Sequence, residues 1–334
     1  MTQAIAAGGK STLIAKCIAS NILTAARSFI GDHQSEIGAT HSHMDTARSV
    51  AYIESVFSDY QVHGGLSASD IAGKSVLEIG PGDNYGVALL FLAHGAQRVV
   101  CLDKFATVYD GAQQAAIYRA LRERLQGDAA RIFDATVQVG PDGTKYPSGA
   151  LQPLTGVGIE DAVKKLGPQS VDLIVSRAVL EEVFEVERAF EAMHQLLKPG
   201  GVMVHKIDLR DYGLFSNRGF HPLEFLTIPG PVYSAMSSHS GLPNRRRASF
   251  YIDLLKRLGY RPNVLVTALA GVPGEITPYV PLEPLAMDLP PVARETVQAI
   301  RPRLVPPFRD LPDAELAAHG IFVSARKASN KASA

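Results

Sequence analysis

A glycine-rich turn near residue 80 has the clearest chemical pattern in this sequence. Residues 78–82 read EIGPG, and they complete an apolar run, Lys74–Ile79, that is typical of a strand. Gly80 and Gly82 let the backbone turn sharply and approach a ligand closely, because glycine has no Cβ. A helix is predicted next, at Val87–His94, and the free amides at its start would attract a phosphate or an amino-acid carboxylate. The turn is therefore predicted to bind an anionic group.

Two carboxylates bear on the identity of the ligand. Glu78 stands two residues before the first glycine, where it would repel a pyrophosphate but could receive an ammonium group, directly or through water. Asp103 follows the next predicted strand, Arg98–Leu102, where a ribose diol would be held. A dinucleotide fingerprint has the spacing G-x-G-x-x-G, whereas the third glycine here, Gly86, comes one residue later. A dinucleotide oxidoreductase is therefore the weaker interpretation of this turn.

The elements that position these residues alternate between strands and helices. Further strands are predicted at Val171–Ser176, Val202–Ile207, Asn263–Val266 and Gly320–Ala325. Further helices are predicted at Asp45–Tyr60, Ala112–Leu125, Val186–Leu197 and Arg247–Leu258. Strands that alternate with helices of roughly 10 to 15 residues are typical of a parallel sheet that is covered on both faces. The pattern predicts an α/β fold.

Three motifs in this order resemble the class I S-adenosylmethionine-dependent methyltransferases. They are the glycine turn with Asp103, the strand VDLIVS at residues 171–176, and the turn LKPGG at residues 197–201. The resemblance covers about residues 70–207. It implies a Rossmann-like fold with a mainly parallel seven-stranded sheet and helices on both faces. It also implies a methyltransferase that uses S-adenosyl-L-methionine and releases S-adenosyl-L-homocysteine.

The same resemblance implies a set of cofactor-binding residues. The set is Glu78, Gly80, Gly82, Asp103, Ile159, Glu160 and Ser176. The glycine turn with its carboxylate would lie at the methionine end of the cofactor, and the aspartate after the second strand at the ribose hydroxyls. The segment GVGIEDA at residues 156–162 would lie at the adenine, although many members have an aspartate followed by a small residue where this chain has Gly158 and Ile159.

The acceptor is expected beyond the ends of the fourth and fifth strands, because ligands of open parallel sheets bind at the carboxyl ends of the strands. A hydroxyl acceptor must lose its proton, so a base is expected there. His205 or Asp208, in the segment HKID, is predicted to be this base, since a histidine near a carboxylate suits neutral pH. The alternative is a buried hydrogen-bonded pair that anchors the following loop.

Further acceptor contacts are predicted in the loops after these strands. The arginines at residues 245–247 oppose the dipole of the helix that they precede, so they should face an anionic acceptor or carboxylates of their own chain. The predicted acceptor-binding residues are Arg177, Glu182, Asp211, His221, Asn244, Arg245 and Tyr251. His41, His43 and Asp45 resemble a metal cluster, but a solvated loop is expected there, and no metal is predicted.

A second resemblance concerns the acceptor. The segments HKIDLRDYG, HPLEFLTIP and SGLPNRRRASFY, over about residues 205–260, resemble a subgroup of these methyltransferases that modifies sugars, glycans or natural products. The resemblance favours O-methylation of a saccharide or glycoconjugate hydroxyl. One alternative is a methyltransferase for a small-molecule phenol, carboxylate or amine. Another is a non-catalytic S-adenosylmethionine-binding partner protein.

The composition excludes several other classes of protein. Lys and Arg total 33, and Asp and Glu also total 33, so there is no basic surplus to neutralise the phosphates of a nucleic acid. No apolar run reaches the roughly 18 residues of a transmembrane helix. The two cysteines, Cys17 and Cys101, form no CxxC motif, so a disulfide framework and a cysteine-based zinc site are excluded. A cytoplasmic location is predicted.

The ends of the chain differ from its centre. Residues 1–69 are predicted to form a helical cap on a methyltransferase domain at residues 70–334, with a helix at 1–30 and a polar loop at 31–45. The loop at 208–246 is expected on the acceptor side, and the segment 271–313, with ten of the 21 prolines, is expected to be an insertion. The N-terminal helix should pack on its own protein or on a partner subunit in a homodimer; the alternative is a membrane surface.

Overall fold

A computed structural model describes residues 2–29, 34–35, 40–107, 109–140 and 143–329. The helices are α1 (Thr2–Phe29), α2 (Thr46–Val62), α3 (Gly86–Ala93), α4 (Gly111–Glu123), α5 (Gly127–Thr136), α6 (Ala162–Leu166), α7 (Val186–Leu196), α8 (Gly230–Ser237), α9 (Ala248–Arg257), α10 (Leu282–Met287), α11 (Pro291–Ile300) and α12 (Asp313–Ala317). The strands are β1 (Gln34–Ser35), β2 (Ser75–Ile79), β3 (Arg98–Asp103), β4 (Ala106–Thr107), β5 (Gln138–Gly140), β6 (Gly143–Lys145), β7 (Leu151–Thr155), β8 (Val171–Arg177), β9 (Leu197–Asp208), β10 (Asn263–Leu269), β11 (Val280–Pro281) and β12 (Ala318–Arg326).

The main sheet has eight strands in the order β7-β3-β2-β8-β9-β12-β10-β11. Parallel pairing joins β7, β3, β2, β8 and β9, whereas β12 is antiparallel to both of its neighbours, β9 and β10. The predicted α/β fold is confirmed, but the predicted number of seven strands is wrong. The additional strand, β11, is only two residues long and pairs with β10, so it has no alternation that a sequence pattern could reveal.

Both faces of this sheet are packed. All five residues of β2 are buried, as expected for a central strand of a parallel sheet. Leu77 belongs to an apolar cluster with residues of α7, α9 and α11, while Val76 belongs to a second cluster with residues of α2, α3 and α4. The carboxyl ends of β2, β3 and β8 are therefore held rigidly between two helical layers.

The N-terminal helix packs against the rest of the protein. Leu13, Ile14 and Ile18 contact the first apolar cluster, and the Lys10 ammonium lies 2.5 Å from the buried Glu224 carboxylate. None of the described helices is long and apolar enough to cross a membrane. Residues 31–33 and 36–39 of the predicted polar loop lie outside the described residues. The division into two domains, the membrane contact, the homodimer and the cytoplasmic location stay predictions.

Several elements escaped the sequence patterns. The edge strand β7 contains Pro153, which removes a backbone donor and obscures a strand signal, although proline is tolerated at a sheet edge. The segment 208–246, expected to be a loop, contains α8. The proline-rich segment 271–313 lies between β10 and β12 and carries β11, α10 and α11. Prolines mark the starts of these helices, where a missing amide hydrogen costs nothing.

Candidate functional site

A cavity of about 480 Å³ lies at the carboxyl ends of the central strands. One part of its wall is the glycine turn after β2, the end of β3 and residues 157–160. The rest of the wall comes from α2, from the loop after β8 at residues 177–185, and from residues 237–241 at the end of α8. Six of the predicted cofactor residues meet here: Glu78, Gly80, Gly82, Asp103, Ile159 and Glu160 all line this cavity.

The glycine turn has a backbone that only glycine adopts easily. Gly80 and Gly82 both have a φ of +68°. A Cβ at Gly80 would lie 2.4 Å from a methyl carbon of Val179, which also lines the cavity. The turn thus lets β2 pass directly into the cavity wall beside the loop after β8. Such a cradle accommodates a ligand that lies close to the backbone.

Glu78 is buried at the base of this turn. Its carboxyl is 6% exposed, and burial raises its pKa to about 8, although the Cys101 thiol, 3.8 Å away, opposes the shift. A cationic group in the cavity would favour the carboxylate and bring this pKa down. The residue therefore suits a ligand ammonium group far better than a phosphate.

Asp103 lies at the end of the neighbouring strand β3. Its Oδ1 accepts a hydrogen bond of 3.0 Å from the amide of Phe105, which fixes the carboxyl, and burial raises its pKa. The backbone amides of Gly82 and Lys104 also donate to this carboxyl, and these hydrogen bonds oppose the upward shift of its pKa. The buried Ile159 follows on the same side of the cavity and offers an apolar surface. Two carboxyl groups on neighbouring strands and an apolar side chain thus line this part of the cavity.

Ser176 and His205 do not belong to the cavity lining. His205 is fully buried, its Nδ1 lies 2.8 Å from the Ser176 hydroxyl, and its ring packs edge-on against Phe190. Burial lowers the pKa of His205 to about 3. The two residues are partners across the β8–β9 pairing. The alternative of a buried hydrogen-bonded anchor thus describes His205 better than the predicted base does.

Asp208, the other predicted base, is also absent from the described lining. Its carboxylate forms an ion pair with Arg210, with 2.5 Å between Oδ2 and Nη2. Its backbone amide donates to Oε1 of the buried Glu181. Asp208 therefore fixes the exit of β9 and is not placed to contact an acceptor in this cavity.

Two of the predicted acceptor residues do line the cavity. Arg177 ends β8, forms an ion pair of 2.7 Å with Asp59 on α2, and has its guanidinium 5.2 Å from the centre of the Tyr52 ring. Glu182 lies in the loop that follows, where burial raises its pKa to about 7. A carboxyl with this pKa can exchange a proton near neutral pH.

The other predicted acceptor residues hold the protein together. Asn244 donates to the carbonyls of Leu180 and Val183 and so supports the loop that carries Glu182. Asp211 accepts hydrogen bonds from the amides of Gly213, Phe215 and Ser216, and His221 contacts Thr296 and Leu223. Arg245 donates to the carbonyls of Phe225 and Ile228. Tyr251 is fully buried. The arginine cluster therefore meets backbone carbonyls more than carboxylates.

Sequence reasoning missed an important part of the wall. His41 is buried and lines the cavity, contrary to the solvated loop expected for it, whereas the nearby His43 is exposed. Asp83, directly after the glycine turn, accepts from the amides of His41 and Ser42 at 3.1 and 2.9 Å. This contact spans some forty residues of sequence, so periodicity could not reveal it. The one available signal was the carboxylate of Asp83 beside the glycine turn, which had to find a hydrogen-bond donor.

Comparison with known proteins identifies the family. A family model described as "Methyltransferase domain" matches residues 61–263, a range that holds the glycine turn and the strands that line the cavity. The chain belongs to this family of methyltransferases. It uses S-adenosyl-L-methionine as its cofactor. No curated protein matches the chain.

Solved structures with a similar fold include three methyltransferases. An S-adenosylmethionine-dependent methyltransferase from Mesorhizobium loti has 17% identity and a TM-score of 0.42, with 82% of this chain and 100% of that chain covered. Phosphoethanolamine N-methyltransferase 2 from Haemonchus contortus has 12% identity and a TM-score of 0.42, with 84% and 53% covered. An arsenic(III) S-adenosylmethionine methyltransferase from Chlamydomonas reinhardtii has 15% identity and a TM-score of 0.39, with 84% and 74% covered.

Proposed function

We propose that this enzyme methylates a hydroxyl group of a saccharide, a glycoconjugate or a related natural product. The observation that carries the proposal is a single cavity with two chemically different halves. The half around Glu78 and Asp103 suits the cofactor, as described above. The half around Tyr52, Arg177 and Glu182 is available to an acceptor. An acceptor held there would lie in the same enclosed space as the donor, which is the main requirement for displacement at a methyl carbon.

The cofactor half is assigned residue by residue. Glu78 receives the ammonium group, the turn at Gly80 and Gly82 holds the methionine end, and Asp103 binds the ribose hydroxyls. Ile159 and Glu160 contact the adenine. When bound, S-adenosylmethionine supplies a methyl group on a positively charged sulfur and leaves as S-adenosylhomocysteine.

The acceptor half favours neutral molecules over anions. Tyr52, Tyr60 and Phe184 give it aromatic surface, and Phe184 is 49% exposed at the cavity wall. Glu182 and Glu185 add carboxyl groups, while the guanidinium of Arg177 is already paired with Asp59. A carboxylate or phosphate acceptor would meet repulsion that is not compensated. Aromatic and carboxyl groups are instead well suited to the C–H and O–H groups of a sugar.

The same carboxyl groups support one alternative, which is methylation of an amine. Glu182 and Glu185 would attract a cationic acceptor, and a base would still be needed to free the nitrogen lone pair. The two functions differ in the chemistry of their products. A methyl ether is neutral and resists alkali, a methylamine is retained on a cation exchanger, and a methyl ester is cleaved by mild alkali.

The proposal is tested with methyl-labelled S-adenosylmethionine and a protein-free extract of the source organism. We expect label to enter a neutral, alkali-stable product that is retained on a carbohydrate-binding matrix. Retention on a cation exchanger would replace the hydroxyl acceptor with an amine, and release of labelled methanol by alkali would indicate a carboxylate. The E78Q variant is the control for the cofactor half, because it should bind S-adenosylhomocysteine poorly in calorimetry. Tight binding of NAD instead would overturn the whole assignment.

A further inference from the structure

We infer that His41 is the catalytic base that takes the proton from the acceptor. The inference rests on the proposed function, because a base is needed for a hydroxyl or an amine acceptor. His41 lines the cavity but is only 6% exposed, and its Nδ1 has no hydrogen-bond partner among the described residues. A buried polar nitrogen without a partner is costly unless a ligand satisfies it.

The backbone of His41 is fixed to the cofactor half. Its amide donates to Asp83, which directly follows Gly82, at 3.1 Å, and its carbonyl accepts from the side chain of Gln113 on α4. Gln113 also donates to the carbonyl of Met44 at 2.8 Å. The backbone of His41 is therefore fixed beside the glycine turn, to which the methionine end of the cofactor is assigned.

The surroundings of the ring keep it neutral and oriented. The Tyr52 ring meets it edge-on with 5.6 Å between ring centres. Burial lowers the pKa of His41, and the nearby Asp83 carboxylate opposes the shift. The other charged groups that line the cavity are Glu78, Asp103, Lys104, Glu160, Arg177, Glu182 and Glu185. A neutral imidazole can accept a proton. Glu182, whose pKa burial raises to about 7, is the second candidate base in the cavity.

The proton balance of the step is simple. The acceptor hydroxyl donates its proton to the free imidazole nitrogen while its oxygen bonds to the methyl carbon and the carbon–sulfur bond breaks. The bonding pair stays on sulfur, and the positive charge ends on the imidazolium of His41. The imidazolium then loses its proton to solvent before the next turnover.

The decisive variants are H41Q and H41A, with H43Q as the matched control. The contacts to Asp83 and Gln113 use the backbone of residue 41, so these substitutions leave them in place. We expect H41Q to bind S-adenosylhomocysteine within about twofold of the wild type. Transfer of label to the extract should fall by about 10²- to 10⁴-fold, as for loss of a general base. H43Q, which changes an exposed side chain, should transfer label at the wild-type rate.

Two further measurements separate a base from a structural histidine. Added imidazole should restore part of the turnover of H41A but not of E78Q. Diethyl pyrocarbonate, which acylates neutral and accessible imidazoles, should modify His41 and spare the fully buried His205. A wild-type rate with an unchanged pH profile in H41Q, or no acylation at His41 where His43 reacts, would overturn the inference. A wild type that binds S-adenosylhomocysteine but labels nothing would instead remove the proposed function, and this inference with it.

Discussion

The charge of Glu78 depends on what lies beside it. With its pKa raised to about 8 by burial, the carboxyl is protonated at pH 6 and half-ionised near pH 8. If it receives the ligand ammonium group, binding requires the carboxylate and releases a proton. Binding should therefore become stronger as the pH rises toward 8.

The affinity for S-adenosylhomocysteine should increase by up to about tenfold per pH unit between pH 6 and 8. Isothermal titration in buffers of different ionisation enthalpy measures both the affinity and the released proton. In E78Q the affinity should be weaker and nearly independent of pH, whereas E160Q, another change in the cavity wall, should keep the slope. A flat profile for the wild type would show that Glu78 does not meet the ammonium group.

Glycine is needed at position 80 because the backbone there has a positive φ and because Val179 leaves no space for a Cβ. In G80A the new Cβ would meet Val179 at 2.4 Å, in addition to the strain of a positive φ. The matched control is G219A, since Gly219 has a φ of +77° and nothing within 4 Å of a Cβ. Both variants should lose about 1 kcal/mol of unfolding free energy from backbone strain. Only G80A should bind S-adenosylhomocysteine more than about tenfold more weakly, and V179A in the same chain should restore part of the affinity.

At the scale of elements, the junction between α1 and α8 forms a wall of the site. Asn21 on α1 is 5% exposed; its Nδ2 donates to the Ala235 carbonyl and the Ser238 hydroxyl, and its Oδ1 accepts from the His239 amide at 2.7 Å. Ser238 and His239 line the cavity. The helix thus fixes the position of the cavity wall without lining the cavity itself.

Replacing Asn21 with alanine should therefore loosen this wall. The N21A variant removes three hydrogen bonds, so the unfolding free energy should fall by about 1 to 3 kcal/mol. Hydrogen exchange at residues 230–241 should become faster in N21A. S20A, one residue away on the exposed face of α1, should change neither measurement. Equal effects of the two substitutions would argue against a specific contact.

At the scale of the whole molecule, the buried titratable groups set the dependence of stability on pH. Burial raises the pKa values of Glu78 and Glu181 to about 8 and lowers those of His205 and His319 to about 3. Between pH 4.5 and 8 the carboxyls of Glu78 and Glu181 keep protons in the folded state that the unfolded chain releases, so their contribution to stability falls as the pH rises. Glu182, with a pKa raised to about 7, adds to this effect mainly below pH 7. Below pH 6.5 the unfolded chain gains histidine protons that the folded state refuses, so stability falls as the pH drops.

From pH 6.5 to 8, His205 and His319 are largely neutral in both the folded and the unfolded state. Only the buried carboxyl groups therefore still change the unfolding free energy with pH. The unfolding free energy should fall by roughly 1 kcal/mol per pH unit for each carboxyl, and by less as the pH approaches 8, as measured by urea denaturation. E181Q, which changes a carboxyl outside the cavity lining, should show about half of the wild-type slope. Saturation with S-adenosylhomocysteine should also reduce the slope, because a ligand ammonium group would hold Glu78 ionised in the folded state. Stability that rises over this range would contradict these shifts.

The amino-acid pattern alone was enough to predict the α/β fold, the strand–helix alternation and the six residues from Glu78 to Glu160 that line one half of the cavity. These features are local: apolar runs specify strands and helices, and a glycine pair specifies a turn that few other residues can make. The parallel order of the strands then brings the ends of β2 and β3 together. Ser176, the seventh predicted cofactor residue, does not line the cavity, because its hydroxyl is paired with His205 on the neighbouring strand.

Which polar residues line the acceptor half could not be predicted from the sequence, because it depends on tertiary contacts. His205 lies on an inward face of β9 and packs against Phe190, whereas His41, from a segment without periodicity, is drawn into the cavity by Asp83. Both outcomes depend on contacts between residues far apart in the chain. Such contacts follow from strand register and from the packing of whole elements, and neither is encoded in the spacing of residues along one segment.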